Sequence, residues 1–162
     1  MERLRDLDLW ISIIILLFTV FLSGIIIVDR FWFSFSVGPL LFTHWLVLIG
    51  GLWIAFVTPI YYVLKHRRPK RIKALIRIRM FGNLVAFLLI SVHFTYWVIY
   101  VSFIGTGMAL FVAVLTLAVT GLLQRFAMMR SSGRYIGFIH ISMTTAFYLI
   151  LIVHILSHMM HL

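Results

Sequence analysis

Polar positions thin out along the chain in five long stretches, and the turn-forming and charged residues collect between them. The apolar runs extend from Leu7 to Val28, Leu40 to Leu64, Met80 to Ile104, Met108 to Met129 and Tyr135 to Met159. Each reaches the length that about 20 helical residues need to cross a ~30 Å hydrocarbon layer. Lipid offers the backbone no hydrogen-bond partners, so segments of this kind satisfy their own N–H and C=O groups as helices. The pattern predicts an all-α integral membrane bundle of five transmembrane helices, with residues 1–162 forming one transmembrane domain. The first run is too long for a removable signal peptide, and no small-residue cleavage site follows it.

Composition strengthens this reading. Apolar residues make up 64% of the chain and charged residues 11%, with a mean hydropathy of +1.14, far outside the range of a soluble domain. The formal net charge of +10 would suit nucleic acid if it were spread over a surface, but its distribution follows the membrane instead. Lys65, Arg67, Arg68, Lys70, Arg71, Lys73, Arg77 and Arg79 crowd the second connection. Arg3 and Arg5 precede the first helix, and Arg125, Arg130 and Arg134 flank the fourth connection. With alternating crossings, Arg30 alone of the lysines and arginines falls on the opposite side. The positive-inside rule then sets the N-terminus in the cytoplasm and the C-terminus outside a plasma membrane. The basic loop is suited to anionic lipid or to an acidic partner subunit. There is no cysteine, which excludes disulfides, thiolate-held iron–sulfur clusters and covalently attached haem.

Histidine placement carries the candidate chemistry. His140 and His154 lie fourteen residues apart in the last apolar run, a spacing that returns to within about 40° of one helix face after a rise of roughly 21 Å. One helix thus presents two imidazoles to a neighbour, an arrangement suited to b-type haem, whose iron takes axial imidazoles. A faint inverted repeat runs alongside. Ser23-Gly24 is followed twenty residues later by Thr43-His44-Trp45, and Thr120-Gly121 is followed by Ile139-His140-Ile141. The repeat is incomplete, because the residue fourteen after His44 is Thr58. Taking the middle of each run as the bilayer centre, His44 and His154 lie about 12 and 11 Å outward, His140 about 10 Å inward, and His93 near the centre. The matched depths make His44 and His154 the expected ligands of an outer haem. His93 is the expected partner of His140 at an inner one, so the chain would hold one or two haems b.

Thr43-His44-Trp45 after a glycine-bearing helix, and a final helix reading Ile139-His140 and Val153-His154-Ile155, resembles the membrane cytochrome b subunits of formate dehydrogenases and nickel–iron hydrogenases, and the related ferric-reductase-like cytochromes. The resemblance implies two haems stacked across a helical bundle, one helix ligating both, and quinone exchange near a haem edge. It also implies other subunits of a membrane redox complex as partners. The stretch from Thr43-His44-Trp45 through Gly50-Gly51 to Pro59 also looks like copper-resistance membrane proteins and membrane protoporphyrinogen oxidases. A copper-handling or haem-pathway role therefore stands as an alternative, as does a non-redox anchor whose histidines only hydrogen-bond.

Arg30, in the loop Asp29-Arg30-Phe31-Trp32, is the expected partner for the propionates of an outer haem. The acids are Glu2, Asp6, Asp8 and Asp29, none assigned to the interior of a span, which argues against a pump built on buried carboxylates. His66 is expected at the interface and His158 and His161 at a solvated helix end. The tryptophans read as interface anchors, and Gly24, Gly50, Gly51 and Gly121 as close-packing positions. No dinucleotide fingerprint is present, so the expected role is an electron-transfer subunit rather than an enzyme by itself.

Overall fold

Among the described residues, five helices are long and apolar enough to cross a membrane. The computed structural model describes residues 2–29, 33–67, 71–100, 105–126 and 130–160. Helix α1 covers Glu2–Val28, α2 Phe42–Arg67, α3 Ile72–Tyr100, α4 Thr106–Phe126 and α5 Gly133–Met160. A short 3-10 turn at Arg130–Ser132 precedes α5. A small antiparallel hairpin interrupts the all-α pattern, with β1 (Ser36–Val37) paired to β2 (Leu40–Leu41). Gly38 sits at φ +64° in its two-residue turn, a conformation that glycine adopts without steric penalty, and Pro39 follows it. Leu40 and Leu41, expected as the first residues of the second helix, are thus strand. The indole N–H of Trp45 donates to the Val37 carbonyl at 2.9 Å and fastens the hairpin onto α2.

The third helix starts eight residues before the expected Met80. Lysine and arginine stems can run along an apolar surface while their charged ends reach water or a partner, so Lys73, Arg77 and Arg79 extend the helix instead of ending it. Arg77 reaches Asp8 on α1 through two prongs, at 3.0 and 3.1 Å. The Arg79 guanidinium lies 4.6 Å from the ring centre of Tyr61 and 5.7 Å from that of Tyr62 on α2. Asp8 is buried, which corrects the expectation that no carboxylate lies within a span, although the arginine compensates its charge.

The chain divides into two compact units, Met1–Val101 and Ser102–Leu162. In the first, α3 packs against both α1 and α2 and carries a long buried series from Leu84 through Tyr96. Helices α1 and α3 run parallel, tied at one end by Asp8 and Arg77 and at the other by the Tyr100 hydroxyl, which donates to the Ile26 carbonyl at 2.5 Å. Helix α2 is antiparallel to α3. A Cβ added at Gly50 would come 2.9 Å from the Ala86 carbonyl oxygen, and one at Gly82 would collide with the Trp53 indole. The absence of side chains at these two positions therefore brings the helices together. Gly51 and Gly24, expected in the same role, face open space in the unit.

In the second unit α4 and α5 pack antiparallel, with Ala113, Val114, Ile136 and Phe147 buried. Large apolar side chains elsewhere are exposed, Val28 to 88% and Phe138 to 72%, as helix faces turned to lipid can be. Several hydroxyls within the helices are satisfied locally. Ser12, Thr19, Ser91, Thr116, Thr120 and Thr144 each donate to the carbonyl one turn back, as expected where water is scarce.

Candidate functional site

Helices α4 and α5 meet in two rungs built from the same three residue types. In one, Thr120 Oγ1 lies 2.8 Å from His140 Nδ1. In the other, Thr106 Oγ1 lies 2.7 Å from His154 Nδ1. Thr106 and Thr120 are fourteen residues apart, as His140 and His154 are, so two antiparallel helices repeat the same contact after roughly 21 Å of rise. A glycine follows each threonine. A Cβ at Gly121 would stand 3.5 Å from His140 Cε1, and one at Gly107 would stand 3.7 Å from His154 Cε1. Each imidazole thus has a hydroxyl on Nδ1 and packs beside a glycine, at a distance where an added Cβ would be in ordinary van der Waals contact.

The sequence makes half of this visible. Thr120-Gly121 stands out as the element that precedes His140 in the inverted repeat, though not as its contact, whereas Thr106-Gly107 is missed because it lies at the first turn of α4, beside the boundary. The signal that finds it is the recurrence of Thr-Gly at the histidine spacing.

The Thr120 hydroxyl also fixes a proton. It donates to the Thr116 carbonyl at 2.6 Å, and a hydroxyl carries a single hydrogen. With that hydrogen on the carbonyl, the contact with His140 runs the other way, Nδ1–H donating to Oγ1. In a neutral ring this leaves the lone pair on Nε2, the nitrogen that ligates metal in the many sites where Nδ1–H is held by an oxygen.

In the first unit the histidines stand in a different setting. His93 Nδ1 lies 3.0 Å from the Thr43 carbonyl. A carbonyl only accepts, so Nδ1–H is the donor here as well, and Nε2 again carries the lone pair. His44 meets His93 edge to face, with ring centroids 5.3 Å apart at 65°, and Trp97 packs on both rings at 5.3 and 5.9 Å. Two imidazoles trans across one metal need their nitrogens about 4 Å apart and their ring centres farther still. His44 and His93 touch instead, which leaves no room for a macrocycle between them. Thr43 is fully buried at this cluster, and its hydroxyl, like the Trp97 indole N–H, has no hydrogen-bond partner among the described residues.

The structure sets His93 level with His44, where a helix starting at Met80 had implied a difference in height between them. With α3 spanning Ile72–Tyr100, His93 stands seven residues past the helix midpoint, about 10 Å toward the Tyr100 end.

His44 belongs to the first unit and His154 to the second. Arg30 lies outside the described residues, as do His161 and the side chains of His66 and His158. Among the described residues no group of three or more histidines, aspartates or glutamates gathers as a metal site. No protein-family model, curated protein or solved structure matches the chain.

Proposed function

We propose that the chain is a haem b-binding membrane subunit of a respiratory or redox complex, transferring electrons between a quinone pool and a partner protein. The observation that carries this reading is the repeated rung on α4 and α5, in which Thr106 and Thr120 each engage Nδ1 of a histidine. Held in this way, an imidazole is oriented along its Nε2 axis before any ligand arrives. When bound, the haem supplies one-electron redox chemistry at a potential set by its axial ligands, their hydrogen bonds and burial.

The chain's own part is to hold the iron and keep water from it. His140 and His154 are the axial candidates of the second unit, and His44 and His93 those of the first. His93 is oriented by the Thr43 carbonyl in the same sense as His140 by Thr120. Arg30 is the proposed partner for the propionates of an outer haem. The cytoplasmic N-terminus, the plasma membrane, the weak inverted repeat, the anionic-lipid contact of the basic loop and the partner subunits belong to the same proposal.

Haem and protein quantified on one purified sample, with reduced-minus-oxidised spectra of His44→Ala, His93→Ala, His140→Ala and His154→Ala, test it. Loss of a low-spin haem, or its conversion to high spin, marks an axial ligand. Two variants that alter the same haem share an iron, and His44 with His154 is the pair expected from sequence depth. Full-length protein that never takes up haem would return the histidines to hydrogen bonding alone and favour the anchor reading, and copper retained in its place would favour the copper-handling one.

A further inference from the structure

The two rungs of α4 and α5 match in spacing and differ in their protons. Thr120 is buried and its hydroxyl hydrogen is committed to the Thr116 carbonyl at 2.6 Å, with the Leu117 carbonyl a longer second acceptor at 3.4 Å. It can only accept from His140. Thr106 is the first residue of α4, and among the described residues its hydroxyl makes no hydrogen bond other than that to His154. It can donate to Nδ1 or accept from it, because a hydroxyl rotor serves either role.

We infer that Thr120 is a positioning residue which locks His140 as the Nδ1–H tautomer, with its Nε2 lone pair set for a metal, while Thr106 leaves the tautomer of His154 open. The chain Thr116 carbonyl, Thr120 hydroxyl, His140 imidazole runs in one direction only. Each group polarises the next, and the imidazole is made more electron-rich by donating Nδ1–H to an oxygen whose own proton is already withdrawn. His140 is a preset ligand, whereas the Thr106 hydroxyl does not by itself set the tautomer of His154.

The tautomer assignment rests on geometry alone, whereas its consequence for haem rests on the function proposed above. Two readouts separate them. In the first, nitrogen chemical shifts of 15N-histidine-labelled full-length chain in lipid nanodiscs, before haem is added, report which ring nitrogen carries hydrogen. His140 is expected as Nδ1–H in the native chain and in Thr120→Ser, and as a mixture or the Nε2–H form in Thr120→Val. Thr106→Val leaves the His140 signal unchanged.

In the second, haem titrated into the same samples is expected to bind about 10- to 100-fold more weakly to Thr120→Val, with binding restored in Thr120→Ser. An Nε2–H tautomer for His140 in the native chain, or an unchanged Nδ1–H signal in Thr120→Val, overturns the inference. The expected tautomers in a chain that binds no haem would uphold the lock and reject the haem reading. Haem binding that Thr120→Val leaves intact would show that the lock does not serve a ligand.

Discussion

The Asp8 carboxylate and the Arg77 guanidinium face each other through two contacts, 3.0 and 3.1 Å long, joining the start of α1 to the start of α3. The Asp8 side chain is only 3% exposed, while that of Arg77 is 36% exposed. Removing one member of a buried ion pair costs about 3–5 kcal/mol, because the other is left uncompensated. Here the arginine reaches solvent and part of that penalty is screened.

Asp8→Ala is therefore expected to destabilise the folded chain by about 1–3 kcal/mol. The double variant Asp8→Ala with Arg77→Ala should lose less than the sum of the two single changes, since no charge is then left alone. Reversible unfolding in mixed micelles measures both. Additive losses would show that the pair is incidental to the packing of α1 on α3.

Glycine positions give a second prediction, because Gly50 and Gly51 are neighbours with opposite surroundings. A methyl at Gly50 would meet the Ala86 backbone oxygen at 2.9 Å and the Ile90 side chain at 3.2 Å, whereas one at Gly51 would meet nothing within 4 Å. A backbone oxygen on a packed helix has little freedom to move aside. Gly50→Ala should thus cost about 1–3 kcal/mol by overpacking, and Gly51→Ala should be neutral or slightly stabilising through its better helix propensity. Equal unfolding midpoints for the two variants would contradict the close approach of α2 to α3.

The third prediction concerns orientation, and the absence of cysteine makes it clean to measure. A single cysteine introduced at Pro69, in the basic connection, is expected to react with an impermeant maleimide only after the cells are opened. One introduced at Leu162 should react from outside in intact cells. The reverse pattern would place thirteen of the fourteen lysines and arginines against the positive-inside rule and invert every inner and outer assignment above.

The helices were legible because hydropathy is a property of long windows, and apolar runs of spanning length have one low-energy solution in lipid. Their ends were less so. Ile72 to Arg79 looks like loop by charge, yet lysine and arginine stems lie along a helix as readily as leucine does, and here Asp8, Tyr61 and Tyr62 receive the arginines. The register of α2 on α3, with Gly50 against Ala86 and Gly82 against Trp53, brings His93 beside His44, a contact no hydropathy window contains. The Gly38-Pro39 turn was readable in principle, but the two-residue strands it joins are too short to show a period. Of the candidate site, the spacing of His140 and His154 was plain in the chain. Their threonines were not, because a partner on another helix is found only once the helices are paired and their register is known.

Whether the histidines hold haem b is read most directly from the haem content and reduced-minus-oxidised spectrum of the native protein beside His140→Ala and His154→Ala. Low-spin haem b is expected in the native chain at one or two per protein. At least one of the two substitutions is expected to remove a haem or convert it to high spin, since loss of a ligating imidazole leaves the iron five-coordinate or water-bound. A native chain without haem, or a low-spin spectrum and haem content that neither substitution changes, would contradict the haem reading.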